Sequence, residues 1–125
     1  MADFKLNSAN HSPSVNSPPF FASGTVSDGG TATITFDNVT QQVNVICTSG
    51  TGGVLKWGVT STGVAGTASN ALAPTNSTGV LDMRVKQIVL AASGADMGYQ
   101  LVVVLDRTAS ADYPDITTGN GFSGV

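Results

Sequence analysis

The segment TATITFD, residues 31–37, sets Ala32, Ile34 and Phe36 against Thr31, Thr33 and Thr35. A strict two-residue period is that of a strand with one buried and one wet face. The same pattern predicts strands on either side. PFFASGTVS is a first strand, ended by the turn residues Asp28-Gly29-Gly30. In VNVICTS, Val43, Val45 and Cys47 fall on one side and Ile46 on the other. The following SGTGG loop demands permissive backbone angles. In VLKWGVTS, Leu55, Trp57 and Val59 share a face, opposite Lys56 and Gly58. YQLVVVLD is different: Leu101 through Leu105 is too uniformly apolar for an edge, which predicts a central strand covered on both faces. Residues 62–79, TGVAGTASNALAPTNSTG, read as a loop with room for one short strand or helical turn near Ala71–Leu72.

LDMRVKQIVLA, Leu81 to Ala91, is ambiguous by period alone. Leu81, Val85, Ile88 and Ala92 fit a helical stripe. Three features favour a strand. Gly79 and Gly94 bound the segment; Val85, Ile88 and Val89 are stiff at χ1; and the neighbouring pattern needs more strands to complete a sheet. As a strand, Leu81, Met83 and Val85 point one way, and Asp82, Arg84 and Lys86 the other. The buried set then shifts parity to Ile88 and Leu90. A β-bulge or a bend that switches sheets near Lys86-Gln87 supplies such a shift.

Six to eight strands at intervals of roughly ten residues, with turns between, predict an all-β, antiparallel β-sandwich of jelly-roll or Ig-like type. Three segments are expected: an extended N-terminal arm over residues 1–19, the sandwich over 20–110, and a C-terminal loop or tail over 111–125. The arm contains Pro13, Pro18 and Pro19 and little apolar content. Such a stretch is ordered by a partner or frays as a terminus.

Composition narrows this picture. At 125 residues the chain is the length of one domain with a real core. Charged residues are 10%, against about 25% in typical domains. Ser, Thr, Gly and Asn fill the gap, and Glu is absent. The net charge is −3 with only five Lys plus Arg. A large basic stripe for phosphates cannot be built, so no nucleic-acid partner is expected. A charge-poor, hydroxyl-rich surface suits packing against other proteins, where each buried charge is costly. The start, MADFKLNSAN, lacks the pattern of a signal peptide. No apolar run approaches the roughly 20 residues that span a bilayer, so no membrane partner is expected.

Candidate chemistry is sparse. Cys47 is the single cysteine and His11 the single histidine, so neither a disulfide nor a zinc site is expected from them. In its apolar run Cys47 reads as a small buried hydrophobe; a nucleophilic role would need a basic partner. SGTGG and TTGNGFSGV lack the Lys-Ser/Thr ending of a phosphate loop and read as turns. Asp112 and Asp115 flank Tyr113-Pro114 and would contribute to a calcium site only with other ligands. Trp57 shares parity with Leu55 and Val59, which predicts core packing; its alternative is a sugar-stacking platform. No catalytic residues and no cofactor are expected.

The order of segments carries a resemblance. An alternating strand follows PPFF; then come FDNVTQQVNVICTSG, VLKWGVTSTGV, LDMRVKQIVLAASG, GYQLVVVLDRT and the closing YPDITTGNGFSGV. From Phe20 to Val125 this pattern resembles the small virion structural proteins of tailed bacteriophages, the capsid decoration or cement type. The resemblance lies in strand order, the VKQIVLAA core and a Gly-rich C-terminal signature, not in a diagnostic motif. It implies a partner, the major capsid protein, a homotrimer or another symmetric homo-oligomer, and a place on the capsid exterior after synthesis in the host cytoplasm. Phe4, Leu6, Phe20 and Phe21 are then the candidate arm anchors, although Phe20 and Phe21 equally suit the start of the core. Arg84 and Lys86 are a candidate polar contact face, weighed against a merely solvated one. The alternative is a glycan- or receptor-binding sandwich of a phage fibre or adhesin, which predicts exposed aromatics near Trp57, Tyr99 or Tyr113.

Overall fold

The computed structural model describes residues 18–125. The expectations for Phe4, Leu6 and His11, and most of the predicted arm, therefore lie outside the described residues.

Eight strands form two four-stranded sheets. They are β1 (Pro19–Val26), β2 (Thr31–Thr35), β3 (Asn38–Ser49), β4 (Val54–Gly58), β5 (Asn70–Leu72), β6 (Leu81–Asp82), β7 (Gln87–Ser93) and β8 (Met97–Ala109). The first sheet runs β1-β8-β3-β6 and the second β2-β7-β4-β5. All named strand pairs are antiparallel. The hairpin-like pairs β1·β8, β2·β7, β3·β6 and β4·β5 fold the first half of the chain back along the second. Rolled into two layers, that long hairpin is a jelly roll.

Alternation builds the core as expected. Val43, Val45 and Cys47 of β3 face Val103, Leu101 and Tyr99 of β8 across the first sheet. Leu55 of β4 and Ile88, Leu90 and Ala92 of β7 line the facing layer. Cys47 is fully buried, and its thiol lies 3.6 Å from the Ser49 carbonyl. Trp57 packs against this core, as its parity predicted. Phe20 does too, its ring meeting Phe36 edge to face at 5.2 Å.

Several boundaries differ from the sequence expectation, each for a local reason. β1 begins at Pro19, as PFFASGTVS predicts, and the Pro18 carbonyl accepts from Leu105 N–H, so it is the arm limit at residue 19 that shifts, with Pro18 and Pro19 both in the body. Proline is tolerated there because it opens an edge strand. β3 extends back to Asn38 through register shifts on either side of Thr40. β4 stops at Gly58, short of the expected Ser61. A Cβ at Gly58 would stand 2.8 Å from Val64 Cγ2 of the helical turn α1 (Ser61–Ala65). That turn was not anticipated from the Thr- and Gly-rich sequence. Its one sequence signal is Thr60, whose Oγ1 caps the turn by accepting Gly63 N–H at 2.9 Å. The short strand expected near Ala71–Leu72 is β5.

LDMRVKQIVLA divides between the layers. β6 pairs with β3 in the first sheet, and β7 pairs with β2 and β4 in the second. Of the two devices expected for the parity shift, the sheet-switching bend is the one present. Thr40 holds the bend in place. Its buried hydroxyl donates to Met83 O at 2.7 Å and accepts from Val85 N–H at 2.9 Å, while its own N–H donates to Val85 O at 3.1 Å. A crossing backbone leaves ladder groups without partners, and Thr40 supplies them.

Candidate functional site

The two cations singled out in the sequence both have partners within the chain. Arg84 is ion-paired with Asp106 on β8. Asp106 is buried, and it also accepts the Arg107 backbone N–H at 2.8 Å. The hydrogen bond from Arg84, then that from Arg107, hold its carboxyl below the usual carboxylate range despite burial. Lys86 Nζ reaches Asp115 Oδ1 at 2.6 Å and the Tyr113 carbonyl at 2.9 Å. These contacts tie both ends of the sheet-switching bend, Arg84 to β8 and Lys86 to residues 113–115. The sequence placed Asp82 beside them on one face, but Asp82 instead accepts from Gln42 Nε2.

Two clefts flank this region. One of about 660 Å³ lies among Phe36, Thr60, Lys86, Gln87, Asp115 and Ile116. Another of about 550 Å³ lies beside Trp57, Asn70 and Met83. Trp57 Nε1 is buried and has no acceptor among the described residues. Among the described residues no three His, Cys, Asp or Glu side chains gather as metal ligands. Asp115, one of the two acids around Tyr113-Pro114, is engaged by Lys86.

The two sheets differ on their outer faces. On the second sheet, α1 lies over β4 and β7, and Val89, which pairs with Gly58, is buried beneath it. On the first sheet no described element plays that part. Pairing runs Pro19–Val104–Gln42–Asp82 in one row and Phe21–Val102–Asn44 in the next. Phe21 is 67% exposed. Val80, just ahead of β6, is 64% exposed. Val102 and Val104 are half-buried between their neighbours. β8 is thus central, as its apolar run predicted, but no described element covers its outer face. Pro19, Phe21, Val102 and Val104 make an apolar strip on this face, bordered by Gln42 and Asn44 of β3.

Of the predicted anchors, Phe20 enters the core and Phe21 stands on this strip. One residue of parity separates the two fates. The valines at 102 and 104 were legible as apolar, but only pairing shows that they share an outer face with Phe21.

The sandwich also has two unlike sides. On one side its edges are β6 and β5, two and three residues long. On the other they are β1 and β2, eight and five residues long. The Ser27–Gly30 connection between β1 and β2 spans the two layers, so these edges lie together. Neither strand carries a charged residue.

Fold and site together define an antiparallel jelly-roll module whose distinctive surface is an apolar sheet face that no described element covers, next to the charge-free edge strands β1 and β2. No protein-family description and no curated protein matches the chain.

Proposed function

We propose that this chain is a structural protein of a phage virion, of the capsid decoration or cement type. It docks on the major capsid protein through the outer face of the β1-β8-β3-β6 sheet. The observation that carries this reading is the Phe21–Val102 row with Pro19 and Val104, an apolar strip on the sheet face opposite the one that α1 covers. Isolated exposed apolar residues are ordinary, but a contiguous strip on one face suits a protein contact. The resemblance in strand order supports the same reading. The jelly roll also recurs in viral capsid and lectin domains, a support by fold analogy alone. Each contact of this size is weak; a repeating lattice that holds many copies close together makes the coat stable.

The glycan-binding alternative needs stacking aromatics at the surface. Trp57, Tyr99 and Tyr113 are each half-buried, with Trp57 beside the second cleft, and none of the three stands fully at the surface as Phe21 does.

The test is co-sedimentation of the purified protein with expanded, undecorated heads of the phage that encodes it. Saturable binding is expected, weakened at least tenfold by Phe21→Asp with the melting temperature unchanged. Absence of binding to expanded heads would overturn the proposal.

A further inference from the structure

We infer that two copies of this chain pair through the edge of β1 that no described strand occupies, antiparallel about a two-fold axis at Ala22, so that their first sheets become one. This goes beyond the lattice reading. It concerns the edge, not the face, and does not depend on what the face binds.

The backbone geometry sets the register. Leu105 N–H donates to Pro18 O, and β1 pairs with β8 one residue for one residue from there to Val26. In an antiparallel ladder every second residue directs both backbone groups to the same neighbour. Phe20, Ala22, Gly24 and Val26 therefore face β8. The N–H groups of Phe21, Ser23 and Thr25, and the carbonyls of these residues and Pro19, face away from it. Among the described residues no strand receives them.

That outward set is self-complementary. In a pairing centred on Ala22, Phe21 lies opposite Ser23 of the second copy and Thr25 opposite Pro19. Phe21 and Ser23 exchange both backbone bonds at each of the two related places. Thr25 N–H donates to the Pro19 carbonyl, and the missing proline N–H falls at the end of the ladder, where it costs least. The two Phe21 rings become diagonal neighbours on the outer face, within reach of each other. A two-fold axis sets like residues near one another, so charge on the edge would repel; β1 has none. The adjoining edge, β2, is likewise uncharged, and its outward residues are Thr31, Thr33 and Thr35 by the same reasoning from Phe36 N–H to Lys86 O. Natural edge strands are commonly protected by shortness, charge or proline. The β5/β6 side is short; the β1/β2 side has only Pro19.

The experiment is sedimentation equilibrium of the full chain without any capsid, from micromolar to millimolar concentration, beside hydrogen exchange of the β1 amides. A species near twice the 12.6 kDa chain mass is expected, with slow exchange at Phe21, Ser23 and Thr25. Ser23→Pro removes one outward N–H and touches no bond within the sheet. It is expected to shift dimerisation at least tenfold toward monomer, speed exchange at Phe21 and Thr25, and leave the circular dichroism spectrum unchanged. Asn44→Pro, at a regularly paired position of β3 opposite Val102 of the central β8, is the control for a proline that unfolds the protein. A monomer throughout, or a dimer indifferent to Ser23→Pro, overturns the inference. So does a trimer, or edge protection in a monomer that disappears when residues 2–17 are deleted. Dimerisation and lattice binding are separate readouts, so either can fail alone.

Discussion

Replacing Thr40 with Val keeps the shape of the side chain and removes only its hydroxyl. The hydroxyl serves two main-chain groups at the bend between β6 and β7, donating to Met83 O and accepting from Val85 N–H. Val85 is buried, and its N–H has no other described acceptor, so the variant strands a buried donor, at about 1–3 kcal/mol. The lost bond to Met83 adds about 0.5–1.5 kcal/mol, partly offset because the added methyl favours burial. A net loss of about 2–3 kcal/mol is expected. With an unfolding entropy of about 2.1 cal/mol/K per residue over 125 residues, that lowers the melting temperature by about 8–11 °C. Thr40→Ser keeps both bonds and loses one buried methyl, about 1 kcal/mol. Urea unfolding followed by far-ultraviolet circular dichroism measures both. The order wild type, Ser, Val is expected, with similar denaturant slopes. A Val variant as stable as wild type, or more stable than Ser, would refute the view that this hydroxyl holds the sheet switch.

Three further outcomes follow from the same geometry. Asp106 has a folded-state pKa below its unfolded value of about 3.9, so its contribution is present above that value and lost as pH falls through the folded one. Asp106→Asn should therefore be less stable than wild type at pH 7, with the gap narrowing below about pH 4 in urea midpoints measured across pH; a constant gap would contradict this. Gly50 has φ of 127°, and a Cβ there would lie 2.3 Å from Met97 Sδ, so Gly50→Ala should destabilise by about 2–5 kcal/mol in the same assay. Phe21→Ser should change stability by less than about 0.5 kcal/mol while Phe20→Ser costs more than about 2 kcal/mol, since only the second ring packs in the core; equal costs would show that the parity assignment of β1 is wrong.

Much of the architecture is legible in period and punctuation. Alternation in residues 31–36 and 43–47 reports which side of each strand is buried, because adjacent side chains of a strand leave on opposite faces. The parity shift near Lys86-Gln87 already requires the chain to bend or bulge. The apolar run from Leu101 to Leu105 requires a central strand. The α1 turn was less legible, since Ser, Thr and Gly are weak helix formers and a turn of five residues has no period to detect.

The candidate site divides the same way. Sequence alone determined that the protein is a charge-poor antiparallel sandwich with few groups suited to catalysis, because composition and alternation are local properties. Whether Phe20 or Phe21 is the surface aromatic depended on which residue pairs toward β8. Whether Arg84 and Lys86 stand free depended on Asp106 and Asp115, which lie 22 and 29 residues away along the chain. The apolar strip joins Phe21 to Val102, and β1 presents an edge because it ends the order of its sheet among the described residues. Only tertiary structure decided these, because strand order and register bring together residues that no local pattern relates.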